Sequence, residues 1–311
     1  MKDFPWATPQ PEGAGDQALL QEGLDWGEHE YGTHRYHVRR LIEDTLADLP
    51  MRDKAAVLGA GNHGDVDIPG MAKAFQQVTV LDSEPNMLQE WLDAQGGVSL
   101  SRIKSLSRID YTCLDQASLY EKLDELLMTS APASDIAALL RDASFQVRGL
   151  EVLPHLHRTF SFVMSSGVHT ALFYPDVLMQ VQPYIDRYKE SEVRQMMEAI
   201  QFLRNSLLAD YNKLLLSLVR PGGRVAMWTD MIVLDEARSW IADELYENRS
   251  STDRTTYLFE MFGKYGLEGA VIGLKDLYDR LKPDQLLFRC WIGHSDSGRR
   301  YVTVGLSGQA R

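Results

Sequence analysis

Three glycines and one aspartate carry the most specific chemical pattern in the chain. Gly59, Gly61 and Gly64 spell Gly-x-Gly-x-x-Gly, and Asp82 follows the third glycine by 18 residues. Glycines at this spacing let the backbone turn tightly and let a ligand approach it without interference from a Cβ. An acidic residue closing the next strand can accept hydrogen bonds from ribose hydroxyls. Two further polar segments follow apolar runs: Asp115 after Ile109–Leu114, and Ser165-Ser166-Gly167 after Phe160–Met164. His169 lies four residues past Ser165. A free imidazole titrates near neutrality, so His169 is the first candidate for a general base. Tyr31, His34 and Tyr36, in the aromatic segment before the glycine turn, are further candidates. His29, His34 and His37 are close in sequence, as are His155 and His157, but no cysteine pattern or HExxH accompanies them. No metal is expected. Ser165-Ser166-Gly167 lacks the glycine two residues before the serine that a nucleophile elbow requires.

These residues need elements to bring them together. Val38, Leu41, Ile42, Thr45, Leu46 and Leu49 predict a helix over about 34–48, ended by Pro50. Ala55–Leu58 reads as a strand, Pro69–Gln76 as a helix and Val78–Leu81 as a second strand. With the glycine turn and Asp82 this is the order of a βαβ nucleotide-binding unit. Ile109–Leu114 and Phe160–Met164 read as the third and fourth strands. Leu119–Met128 and Asp135–Ala143 between them have helical spacing. A long helical tract follows Pro175 and stops at Arg220-Pro221-Gly222-Gly223. Its methionines are expected to pack in the core. Arg224–Trp228 is a strand, and Leu286–Ile292 with Tyr301–Leu306 form a hairpin. Residues 1–33 carry prolines and glycines without apolar periodicity and are expected to be a flexible leader and a segment over the site.

Composition narrows the partners. The chain has 311 residues, 44% of them hydrophobic, with 32 Lys and Arg against 44 Asp and Glu, a net charge of -12. Acidic excess disfavours nucleic acid and suits a cationic or neutral small ligand. Cys113 and Cys290 cannot form a disulfide framework and are expected to be free thiols. No apolar run approaches the roughly 18 residues of a membrane span. A cytoplasmic location and no membrane partner are the expectation, and a homodimer stays open.

Two cofactor classes fit the glycine turn. A dinucleotide would set its pyrophosphate at the helix N-terminus. S-adenosyl-L-methionine (SAM) would set its methionine moiety over the turn. Asp65 and Asp67 follow the last glycine closely. Carboxylates there repel a pyrophosphate and attract the two cationic groups of SAM. They equally suit a helix N-terminus.

The landmarks then converge on a resemblance. Val57-Leu58-Gly59-Ala60-Gly61 resembles the first glycine motif of class I SAM-dependent methyltransferases. Val80-Leu81-Asp82-Ser83-Glu84-Pro85-Asn86-Met87-Leu88 resembles their second-strand signature. Ile109–Ala117 resembles the third-strand segment, and Leu218–Val225 the Pro-Gly-Gly turn before the fifth strand. The resemblance spans residues 34–311. It implies an α/β fold: a mostly parallel seven-stranded Rossmann-like sheet ending in an antiparallel hairpin. The extra length near 129–158 and 174–212 implies helical insertions, the second forming a helical cap over the substrate.

The same resemblance assigns a site. Gly59, Ala60, Gly61, Asn62 and Gly64 would shape the methionine pocket, Asp82 with Ser83 and Met87 the ribose side, and Asp115 with Gln116 and Ala117 the adenine. Ser165 and Ser166 would close the cofactor site, and His169, Tyr31 and His34 would face the acceptor. The expected reaction is methyl transfer to an oxygen or nitrogen of a small molecule. An NAD(P)-dependent oxidoreductase, an aminopropyl or aminobutyl transferase and a non-catalytic SAM-binding protein are the alternatives.

Overall fold

The computed structural model describes residues 28–59, 66–83, 100–148, 150–246, 251–294 and 298–311. Its centre is a seven-stranded sheet of order β3-β2-β1-β4-β5-β7-β6. The strands are β1 (Lys54–Leu58), β2 (Gln77–Leu81), β3 (Ile103–Leu106), β4 (Phe160–Ser166), β5 (Val219–Leu234), β6 (Leu287–His294) and β7 (Arg300–Gly308). The first five run parallel, and β7 pairs antiparallel with both β5 and β6.

Both faces of the central strands are buried, so these strands read as continuous apolar runs. Alternate residues feed different layers. Ala55 and Val57 of β1, Phe162 and Met164 of β4, and Ala226 and Trp228 of β5 face one layer. It is built from α1 (Glu28–Ala47) and α2 (Ile68–Ala74). Ala56, Leu58, Val163, Val225 and Met227 face the other. That layer holds α3 (Leu119–Met128), α4 (Ala133–Val147), α5 (Val168–Ala171), α6 (Tyr174–Val181), α7 (Glu190–Leu218), α8 (Trp240–Tyr246), α9 (Ser251–Tyr265) and α10 (Glu268–Arg280).

Local chemistry sets several boundaries. Asp67 caps α2 by accepting a 2.8 Å bond from the Gly70 amide, and Pro69 sits in its first turn. The helix-terminus role weighed for Asp67 is therefore the one it plays, while Asp65 lies outside the described residues. Pro221-Gly222-Gly223 does not separate α7 from a later strand. It is a bulge inside β5, where the register against β4 shifts between Phe160 and Phe162 and Gly222 has φ 80°.

The third strand corrects the sequence reading. It is Ile103–Leu106, a sheet-edge strand whose middle residues Lys104 and Ser105 are exposed, so it carries little apolar signal. Ile109–Leu114 is a buried loop instead. Arg108 and Cys113 have φ of 58° and 57°, and the Asp110 carboxylate accepts bonds from the Thr112 amide, the Thr112 hydroxyl and the Asp115 amide. A carboxylate that folds its own backbone competes with a ladder.

The stretches near 129–158 and 174–212 are largely helical. α4 occupies the first. The second begins with α6 and a 3₁₀ turn (Gln182–Arg187) and continues as the 29-residue α7. α7 packs along α4, α10 and the sheet and does not line the cleft, which the chain meets here only at Phe173, Pro175 and Asp176. Helices α8 to α10 were not foreseen, and α1 starts at Glu28 rather than at 34. Among the described residues no helix is long and apolar enough to cross a membrane.

Candidate functional site

A cleft of about 870 Å³ opens at the carboxyl ends of the parallel strands. It lies where β1 neighbours β4, the point at which the strand order reverses. Gly59 follows β1 and has φ 74°. A Cβ there would sit 2.6 Å from Val168 Cγ2 and 2.7 Å from the Ser166 carbonyl oxygen. Only glycine fits this position.

Asp82 follows β2. Its amide donates to the Leu106 carbonyl at 3.0 Å, and its carbonyl accepts from the Ile109 amide at 3.0 Å. The backbone on both sides of this carboxylate is thereby fixed. Ser83 beside it lines the cleft as well. Beside them the 108–112 loop contributes Arg108, Asp110, Tyr111 and Thr112. Tyr111 anchors this loop by donating its hydroxyl to the Leu81 carbonyl at 2.8 Å. From β4 come Ser166 and Gly167, and then Val168, Ala171, Leu172 and Phe173 form an apolar wall. Tyr120, Pro175 and Asp176 complete the rim.

Charge gives the cleft its sign. Among the described residues, Asp82, Asp110, Asp115 and Asp176 line it, against the single cation Arg108. The Asp115 carboxyl is held above the usual range by partial burial and by its neighbours Asp110 and Glu121. The Tyr120 hydroxyl is pushed up by burial and by Asp176, Asp115 and Asp110. Such a site favours cationic or neutral polar groups and opposes a pyrophosphate.

The residues expected from sequence divide accordingly. Gly59, Asp82, Ser83, Asp115 and Ser166 line the cleft. Ser165 lies beneath it, buried, with its hydroxyl 2.8 Å from that of Tyr211. Gln116, exposed, and Ala117, half-buried, follow Asp115 away from the lining. Ala60, Gly61, Asn62, Gly64 and Met87 lie outside the described residues. Tyr31 belongs to α1, and its side chain is likewise outside the described set.

The two histidines are placed differently from expectation. His34 is buried, and its Nδ1 accepts from Trp291 Nε1 at 2.9 Å in the layer beside α1. His37 stacks on the same indole at 5.6 Å. His169 is 2% exposed and does not line the cleft. Burial pushes its imidazole down to about 4. The base role does not fit this placement, because the buried ring is not part of the cleft lining. The one-turn helix α5 turns Val168 and Ala171 toward the cleft and His169 into the core. Among the described residues no group of three His, Cys, Asp or Glu side chains is placed to hold a metal ion.

Sequence reasoning missed Arg108, Tyr111, Thr112, Tyr120, Phe173 and Asp176. Asp110-x-Thr112 was the one available signal, since Asp two residues before Thr favours a local turn. Phe173 and Asp176 arrive only through the tertiary fold.

No protein-family model and no curated protein matches the sequence. Among solved structures, the N-methyltransferase NodS from Bradyrhizobium japonicum WM9 is similar at 10% identity and TM-score 0.39, over 88% of this chain and 96% of that one. The same protein in complex with S-adenosyl-L-homocysteine (SAH) aligns at 11% identity and TM-score 0.40, over 94% and 97%. A SAM-dependent methyltransferase from Aquifex aeolicus aligns at 9% identity and TM-score 0.36, over 88% and 97%. The strand order β3-β2-β1-β4-β5-β7-β6, with its antiparallel β7, is the mostly parallel, seven-stranded Rossmann-like sheet that the sequence predicts.

Proposed function

We propose that the chain is a SAM-dependent methyltransferase acting on a small molecule. The observation that carries this reading is the meeting of Gly59, Asp82 and Asp115 in one cleft at the switch point of the sheet. The donor set suits the cofactor. Gly59 brings bare backbone to the cleft, Asp82 offers ribose hydroxyls a carboxylate on a fixed backbone, and Asp115 offers a carboxylate to an exocyclic amine. When bound, SAM supplies a methyl group made electrophilic by its sulfonium.

The chain's own residues then orient and desolvate. The apolar wall of Val168, Ala171, Leu172 and Phe173 excludes water from one side. Holding donor and acceptor in line is the main contribution a protein makes to such a displacement. Asp110 and Asp176 face the cleft without a cofactor assignment. They favour an acceptor carrying an amine over one carrying a phosphate or carboxylate, and hence a nitrogen nucleophile.

The same carboxylates support a second reading, transfer of an aminopropyl or aminobutyl chain to a polyamine. Product mass after incubation with SAM and a panel of small amines separates the two. Addition of a methyl group supports methyl transfer, and addition of a longer chain supports the rival. Product from neither, with SAH tightly bound, would point to a non-catalytic SAM-binding protein.

A further inference from the structure

His169 sits directly behind the cleft wall. Its helix α5 is a single turn whose Val168 and Ala171 line the cleft, while the imidazole faces inward between α7 and α10. Its Nε2 is 2.8 Å from Asn212 Oδ1 on α7. The Asn212 amide has only one consistent orientation. Its Nδ2 donates to the Gly273 carbonyl at 2.8 Å and to Asp276 Oδ2 at 3.0 Å, both of which can only accept. Oδ1 must therefore accept from His169, which carries its proton on Nε2.

The surroundings are built for this ring. Gly273 lies inside α10, and a Cβ there would be 2.2 Å from His169 Cδ2, so the missing side chain is the socket for the imidazole. Helix interiors disfavour glycine, which makes the socket a cost to α10 that the contact offsets. Asp276 is itself held by two 2.8 Å bonds from Arg280. On the other side Tyr211 meets the imidazole edge-on at 5.5 Å and hydrogen-bonds with Ser165.

We propose that His169 is a positioning residue. Its Nε2–H bond to Asn212 pins α5 to α7 and α10, and so holds Val168 against the Gly59 turn that shapes the ligand cleft. The part of this inference that concerns ligand affinity rests on the SAM reading above. The part that concerns α5 does not.

The test compares His169→Gln with His169→Leu in the full chain. Gln places an N–H near the position of Nε2 and cannot act as a base, whereas Leu removes the donor and leaves Asn212 Oδ1 buried and unmet. Amide exchange is read first, without ligand. In the Leu variant the amides around 168–173 should exchange about tenfold faster, with those of β2 unchanged, and Gln should restore them. SAH affinity should fall about tenfold with Leu and stay within about twofold with Gln. If the Leu variant fails to fold, Asn212→Ala removes the acceptor and carries the same comparison. Wild-type exchange in the Leu variant, or a Gln variant as perturbed as Leu, overturns the positioning role. Absence of SAH binding by the wild type would sink the cofactor reading and leave the exchange result to decide the role of His169.

Discussion

Val168 occupies the space that a side chain on Gly59 would need: its Cγ2 lies 2.6 Å from the ideal Cβ position. The glycine turn after β1 and the wall after β4 are thus fitted to each other across the switch point. Gly59→Ala must clash with Val168 and with the Ser166 carbonyl while holding φ near 74°. The expected cost is about 2–4 kcal/mol of stability, with SAH binding lost. Urea unfolding and calorimetry check the two effects separately.

Asp82 is framed by two backbone bonds, to Leu106 and Ile109, that do not involve its carboxylate. Asp82→Ala should therefore keep the fold and weaken SAH binding by about tenfold to a hundredfold, as for loss of a charged hydrogen-bond acceptor. A circular dichroism spectrum like that of the wild type together with a raised Kd is the expected pair. An unchanged Kd would remove Asp82 from the ribose.

Asp110 has the opposite profile. Its carboxylate closes the 110–115 loop through three bonds. Asp110→Ala should lower stability by about 1–3 kcal/mol and loosen Arg108, Thr112 and Asp115 together. Asp110→Asn keeps one acceptor oxygen and should lose less. Thermal unfolding of the two variants orders them.

Burial of His169 predicts a pH dependence with a definite sign. Its folded value is pushed down to about 4 from the ordinary 6.5. Between those values the unfolded chain binds the proton and the folded chain does not. Stability from this group is fully present above pH 6.5, falls as the pH drops toward 4 and changes no further below that. The whole effect is on the order of 3 kcal/mol. In His169→Gln the acid-side decline should be shallower by that amount, as read by urea unfolding at several pH values across the window.

Much of the fold was legible because the central strands are buried on both faces. Ala55–Leu58, Val78–Leu81 and Phe160–Met164 are short, mostly apolar runs, each ending at a polar or glycine-rich segment. The edge strand Ile103–Leu106 was not, since half of it faces solvent, and its role was transferred to the more apolar Ile109–Leu114. There the Asp110 carboxylate overrode the apolar pattern. In the site, Gly59 and Asp82 could be read because backbone geometry and strand ends demand those residue types. His169 could not, because residues 168 to 171 make one helical turn. Which of them faces the cleft depends on Asn212 and Gly273, more than 40 positions away. Tyr120, Phe173 and Asp176 had no local signature.

The central claim is that the cleft beside Gly59, Asp82 and Asp115 holds SAM. Calorimetric titration of the purified protein with SAM, SAH and NAD in parallel tests it most directly. The account predicts saturable micromolar binding of SAM or SAH, at one site per chain, and none for NAD. Binding of NAD alone would contradict it.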